Sequence, residues 1–271
     1  MELLSYTFVQ HAFVGGVLLA LLSGVLGPFV VQSRQAIASD MFAHVSLAGI
    51  GIALVAGLGP WWGALPTLLI VSTLIWWLLE QETYSPDAVA MFFLSGGLAL
   101  ALALVHLARD TVFSFENYLF GSILTLTRGD LYGIAIATAL VLSLVTLFWY
   151  PLIGATRHPS VQIPYRFTPQ LVRLLYFWLL ATVVWIGIKT IGGLLIGALL
   201  VIPVLILRGR TSSFLGTTIG ATLVALIAVL LGLLGALYID LPPSSLIIGV
   251  LLALFIGNTI VQSFARTFNR G

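Results

Sequence analysis

The sequence predicts an all-α, polytopic transmembrane helical bundle of about nine spans, with eight to ten as the range. Three observations predict it. Hydrophobic residues fill 60% of the 271 positions and charged residues only 7%, whereas a soluble domain carries about a quarter charged residues. Apolar stretches of roughly the length that crosses a ~30 Å hydrocarbon core recur along the whole chain. The acidic residues Glu2, Asp40, Glu80, Glu82, Asp87, Asp110, Glu116, Asp130 and Asp240 all fall at, near or beyond the ends of those stretches, where the cost of burying a charge in lipid is smallest.

Taken in order, the spans are 8–31, 41–57, 60–79, 88–108, 129–153, 169–188, 190–207, 213–238 and 243–263. The first follows Met1 and Glu2 with no cationic run and exceeds a signal-peptide core of ~7–15 residues, so it reads as a retained span. The second is short. The third carries Trp61, Trp62, Trp76 and Trp77 near its two ends, as interface anchors. The seventh is short and contains Gly192, Gly193, Gly197 and Pro203. That composition predicts a broken helix, tolerated where protein or water satisfies the freed backbone. Gly193 with Gly197, and Gly216 with Gly220, have the spacing that lets helices approach closely. Most connections are short. Those at 109–128 and 154–168 are longer, and the first carries the aromatic run FSFENYLF from Phe113. Residues 1–271 are read as a single transmembrane domain, with no internal repeat and no low-complexity tail.

Basic residues orient the bundle. With nine spans, Arg34, Arg157, Arg166, Arg173, Arg208, Arg210, Arg266 and Arg270 share one side, while Arg109, Arg128 and Lys189 take the other. The excess marks the first side as cytoplasmic, which puts the N-terminus outside and the C-terminus inside. The polar, proline-punctuated segment 154–168, with His158, Pro159, Pro164 and Arg166, then lies in the cytoplasm, as a linker or a docking surface.

Cysteine is absent, which excludes disulfides, thiolate zinc sites, iron–sulfur clusters and cysteine nucleophiles. No GxxxxGK[ST], HExxH or dinucleotide-binding glycine run occurs. The chain is therefore expected to be no enzyme, and any ATP hydrolysis belongs to a different chain. The exception to this blandness opens the second span. Asp40 and His44 stand four residues apart, a spacing that puts a carboxylate and an imidazole on one face of a helix, one turn apart. Oxygen and nitrogen donors of this kind suit Mn²⁺, Zn²⁺ or Fe²⁺. Two ligands hold a metal weakly, but two copies about a twofold axis supply four, as suits a site that must also release its ion. The alternative is structural, with Asp40 as an N-cap and His44 as a hydrogen-bonded interior histidine. His11, His106 and His158 read as interfacial or packing residues, Glu116 as a loop charge, and Lys189 as a side chain reaching to the outer interface.

Four segments resemble one family. They are DMFAHVSLAGI from Asp40, NYLFGSILTLTRGD from Asn117, GLLIGALLVIP from Gly193 and YIDLPPS from Tyr238. Their order and spread over most of the chain are similar to those of the membrane permeases of zinc, manganese and iron importers of the ATP-binding-cassette class. The resemblance implies an ATP-driven importer of divalent transition-metal ions, working as a homodimer with the ion passing along the twofold axis. It implies Asp40 and His44 as the pathway ligands, no permanently bound cofactor and a transported metal ion. It also implies a cytoplasmic ATP-binding subunit docking near residues 154–172, an extracytoplasmic metal-binding protein, and a place in a prokaryotic plasma membrane. The chain departs from the family pattern at Ser122, where many members are acidic, and in the loop RHPSVQIPYR from Arg157, which lacks the common acidic and glycine-containing pattern. Outside the resemblance, a secondary metal-ion transporter without an ATPase is the competing reading, and an assembly subunit a third.

Overall fold

The computed structural model describes residues 6–108, 118, 121, 123–157, 168–193, 195–239 and 241–268, with backbone alone at 124, 157 and 263–268. Expectations placed on Asp110, Glu116, Ser122, His158, Arg166, Asp240 and Arg270 fall outside the described residues or side chains.

Ten α-helices and no strand occur among the described residues. They are α1 (Thr7–Gln32), α2 (Ala38–Val55), α3 (Pro60–Glu80), α4 (Pro86–Leu107), α5 (Arg128–Leu147), α6 (Trp149–Arg157), α7 (Pro169–Thr190), α8 (Ile196–Leu207), α9 (Phe214–Ala236) and α10 (Pro243–Phe268), with one 3-10 turn at Ile123–Thr125. Eight are long and apolar enough to cross a membrane, and α8 is a shorter apolar helix of 12 residues.

Local chemistry sets the boundaries. Pro60, Pro86 and Pro169 open α3, α4 and α7, where a missing N–H costs no helical hydrogen bond. The Ser85 and Ser213 side chains accept from the backbone at Ala88 and Gly216, capping α4 and α9. Thr127 and Asp130 form a reciprocal capping box on α5.

One sequence expectation changes. The fifth span was expected to run unbroken to residue 153, yet α5 ends at Leu147 and α6 begins at Trp149. Pro151 has no N–H to give the Leu147 carbonyl, while Phe148 and Leu152 bond normally to Leu144 and Phe148. The seventh span is interrupted: α7 ends at Thr190, residues 191–193 turn with Gly192 at φ +98°, and α8 starts only at Ile196.

α1, α2 and α7 form the buried centre. α2 lies between α3 and α4, α1 runs along α8 and α9, and α10 packs on α9; α7 joins the two groups through α3 and α1. Close crossings are made by glycines the spacing argument did not single out. A methyl group at Gly63 would fall 2.0 Å from the Gly49 carbonyl, and one at Gly24 would fall 2.2 Å from the Thr222 Cα. Of the expected small-residue pairs, Gly220 abuts the Leu207 side chain, Gly216 abuts its own cap Ser213, and Gly193 precedes α8. The outer faces of α3, α4 and α5 carry exposed Trp62, Ile70, Phe92 and Tyr132, the apolar surface a bundle shows to lipid.

Candidate metal-ion site

α2 begins at Ala38, with Ile37 at the N-cap and no side-chain capping bond. Asp40 is thus the third helical residue and caps nothing, which removes one half of the structural alternative. Nδ1 of His44 is buried without a hydrogen-bond partner among the described residues, which does not match the hydrogen-bonded interior histidine of that alternative. From Ala38 to Gly51 every residue of α2 is buried except these two, which are half-buried on one face. A polar pair is therefore left open on a stretch of helix otherwise buried from Ala38 to Gly51.

Its depth follows from the neighbours. A methyl group at Gly97 would touch the backbone of His44 and Val45 at 3.0 Å, and Gly97 is midway along α4. On the other side Asp40 lies against Gly197, in the first turn of α8. From there α8 continues to Leu207, about 15 Å at 1.5 Å per residue. Both measures put the pair near the middle of the bundle, far from the ends where Asp40 was expected from its place at the start of a span. The reason is the α1–α2 turn, residues 33–37, which is recessed. Ser33 hydrogen-bonds the Tyr176 hydroxyl at 3.0 Å, two turns inside α7.

That turn roofs a cleft of about 730 Å³, lined among others by Gln32, Arg34, Glu80, Thr156, Arg173 and Tyr176. Gln32 donates to the Ile153 carbonyl at 3.1 Å, tying α1 to α6. Arg173 grips Glu80 with two 2.6 Å bonds from Nε and Nη2, joining α7 to the end of α3. Arg34 and Arg208 share a neighbouring cavity, so arginines gather at this end of the molecule.

The opposite end holds a second polar cluster. Lys189, expected to reach to the outer interface, pairs with Asp130 and stands 4.7 Å over the Trp61 ring. Trp61 stacks on Tyr118 and meets Trp185 edge-on. The Tyr118 carbonyl accepts from Gly193 N–H at 3.2 Å, and Gly193 in turn touches Ala43. Gly193 thus links the Lys189 cluster to α2 at Ala43, and Gly197 borders Asp40. Of the four tryptophans of α3, Trp62 and Trp77 face outward while Trp61 and Trp76 turn inward. His11 donates from Nδ1 to the Leu126 carbonyl at 2.8 Å, a packing role, and His106 is exposed in the last turn of α4.

The sequence reading missed three polar tethers: Lys189–Asp130, Arg173–Glu80, and Asn258 donating to the Ile206 carbonyl at 3.0 Å. Each pair is remote in sequence. The first two have one weak signal, an acid and a base at span ends assigned to the same side. Among the described residues no three of His, Cys, Asp and Glu come together, so Asp40 and His44 stand as a pair of donors.

Comparison with known proteins places this architecture. The chain is 28% identical to the high-affinity zinc uptake system membrane protein ZnuB of Buchnera aphidicola over 86% of this chain and 87% of that one. It is 28% identical to the manganese transport system membrane protein MntC of Halalkalibacterium halodurans, over 74% and 69%. The solved structure of PsaBC from Streptococcus pneumoniae in complex with Fab shares the fold, with a TM-score of 0.82 at 20% identity over 95% of this chain and 92% of that one. Residues 5–262 match the model of the ABC 3 transport family, and this chain therefore belongs to that family.

Proposed function

We propose that this chain is the membrane-spanning permease of an ATP-driven importer of divalent transition-metal ions in the plasma membrane of a prokaryotic cell. The observation that carries the reading is the Asp40–His44 pair: half-open, without hydrogen-bond partners among the described residues, and midway through an apolar bundle. An imidazole left unpaired in such a place is costly, and a cation passing the helix face satisfies it. Zinc and manganese are the first candidates, since relatives are named for them; iron accepts the same oxygen and nitrogen donors.

Two ligands from each of two copies about a twofold axis complete a four-donor site, and the ion passes between the protomers. Residues 1–271 act as one permease domain with the N-terminus outside, the turn 191–193 and α8 contributing to the seventh of nine crossings. The grouping of Arg34, Arg173 and Arg208 at one end, opposite Arg128 and Lys189, supports this orientation. At the arginine-rich end the cleft between α1, α3, α6 and α7, lined by Ala155, Thr156 and Arg173, offers a docking surface near the 154–172 segment for a cytoplasmic ATP-binding subunit. The chain itself contributes no catalytic residue; hydrolysis in that partner rocks the two halves between outward and inward states. An extracytoplasmic metal-binding protein hands the ion to the outer mouth.

The test is uptake of ⁵⁴Mn²⁺ and ⁶⁵Zn²⁺ by the reconstituted complex. Asp40→Ala and His44→Ala are each expected to abolish it while expression and dimer assembly stay unchanged. Wild-type uptake in both variants would remove the site.

A further inference from the structure

We propose that Gly197 is a positioning residue for the Asp40 carboxylate. The inference rests on the reading of Asp40 and His44 as the ion's ligands. A methyl group on Gly197 would fall 2.7 Å from Oδ1 of Asp40 and 2.9 Å from Oγ of Ser39, inside van der Waals contact. Only a glycine hydrogen leaves room for the carboxylate to rest on the first turn of α8.

The chemistry of that contact favours a carboxylate. α8 opens in the middle of the bundle with Leu195 at its N-cap and no side-chain cap. A helix start of this kind has N–H groups without an intrahelical acceptor and carries the positive end of the helix dipole, and Asp40 lies beside it, against Gly197. Ser39 is held beside it by a 3.1 Å bond to the Ala36 carbonyl. Gly197 and Ser39 thus border the seat of the carboxylate, one turn from the His44 imidazole.

The obstructing atoms separate this glycine from the packing glycines. At Gly63 and Gly27 an added methyl group meets backbone carbonyls, at 2.0 Å and 2.3 Å. These belong to neighbouring helices and move only if the helices do. At Gly197 it meets the ends of two side chains, which rotate away. The fold absorbs alanine at 197, and the cost falls on the position of the carboxylate. Manganese, which prefers oxygen donors, then loses more than zinc, which imidazole alone holds comparatively well.

The experiment uses the purified permease–ATPase complex, titrated with Mn²⁺ and with Zn²⁺, comparing Gly197→Ala with Asp40→Ala and Gly63→Ala. For Gly197→Ala the expected result is a Kd for Mn²⁺ about tenfold higher, as for loss of a group that orients a metal ligand. The loss for Zn²⁺ is smaller, and the thermal unfolding midpoint stays within about 2 °C of wild type. Unchanged affinity for both ions overturns the proposal. So do equal losses for both ions with an unfolding midpoint lowered as in Gly63→Ala, since glycine would then serve packing alone. Asp40→Ala separates the two levels of the argument. If it keeps both affinities, the ligand assignment fails; if it loses them while Gly197→Ala keeps them, only the role of Gly197 fails.

Discussion

At the scale of single residues, the sequence was most readable where two side chains are close along the chain. Asp40 and His44 are one helical turn apart, so their shared face follows from helix geometry alone. Lys189 shows the limit. Its partner Asp130 lies 59 residues away, and Trp61 is on a third helix. The Lys189–Asp130 pair is partly buried, with side chains 14% and 26% exposed, which places it between a screened surface pair and a desolvated one. A double-mutant cycle with Lys189→Met and Asp130→Asn is expected to give a coupling of about 1 kcal/mol. Trp61→Leu should remove roughly 0.5–1 kcal/mol more by taking the ring from under the ammonium. Additive single effects in thermal unfolding would show that the three groups do not act together.

At the scale of helices, apolar length placed every long span to within a few residues at most ends, because lipid thickness sets the length of any helix that crosses it. The misplaced boundary is that of the fifth span, where hydropathy continues through Pro151 but hydrogen bonding does not. Helix crossings were not readable, because small-xxx-small spacing occurs at many positions and only the neighbouring helix selects among them. Gly63→Ala tests the selection. Its added methyl group strikes the Gly49 carbonyl, so it is expected to destabilise the α2–α3 crossing by about 1–3 kcal/mol and lower the unfolding midpoint. Gly96 has open space around the same methyl position, and Gly96→Ala should leave the midpoint at or slightly above wild type, since alanine is the better helix former. Equal responses from the two variants would count against the crossing.

For the whole molecule, the open face of α2 and the arginine-lined cleft lie on two surfaces that a single chain leaves unpartnered. Transport is therefore expected from the assembly and not from the permease by itself. In proteoliposomes holding this chain alone, neither a proton nor a sodium gradient should drive Mn²⁺ uptake. Adding the ATP-binding subunit with ATP should start it, and a non-hydrolysable analogue should stop it. Gradient-driven uptake without the ATPase would turn the reading toward a secondary transporter.

The sequence by itself determined that this is a helical membrane protein, where its long apolar helices lie, and that Asp40 and His44 stand one turn apart on one helix. Composition, hydropathy and the 3.6-residue period act within a single segment, so no knowledge of the neighbours is needed. Only the tertiary structure decided where that pair lies. Asp40 stands near the start of a span and was expected near its end, but the recessed α1–α2 turn carries it to the middle of the bundle, opposite Gly97 and against Gly197. Depth, orphaned imidazole nitrogen and carboxylate seat all depend on which helices pack together, and such contacts join residues more than fifty positions apart.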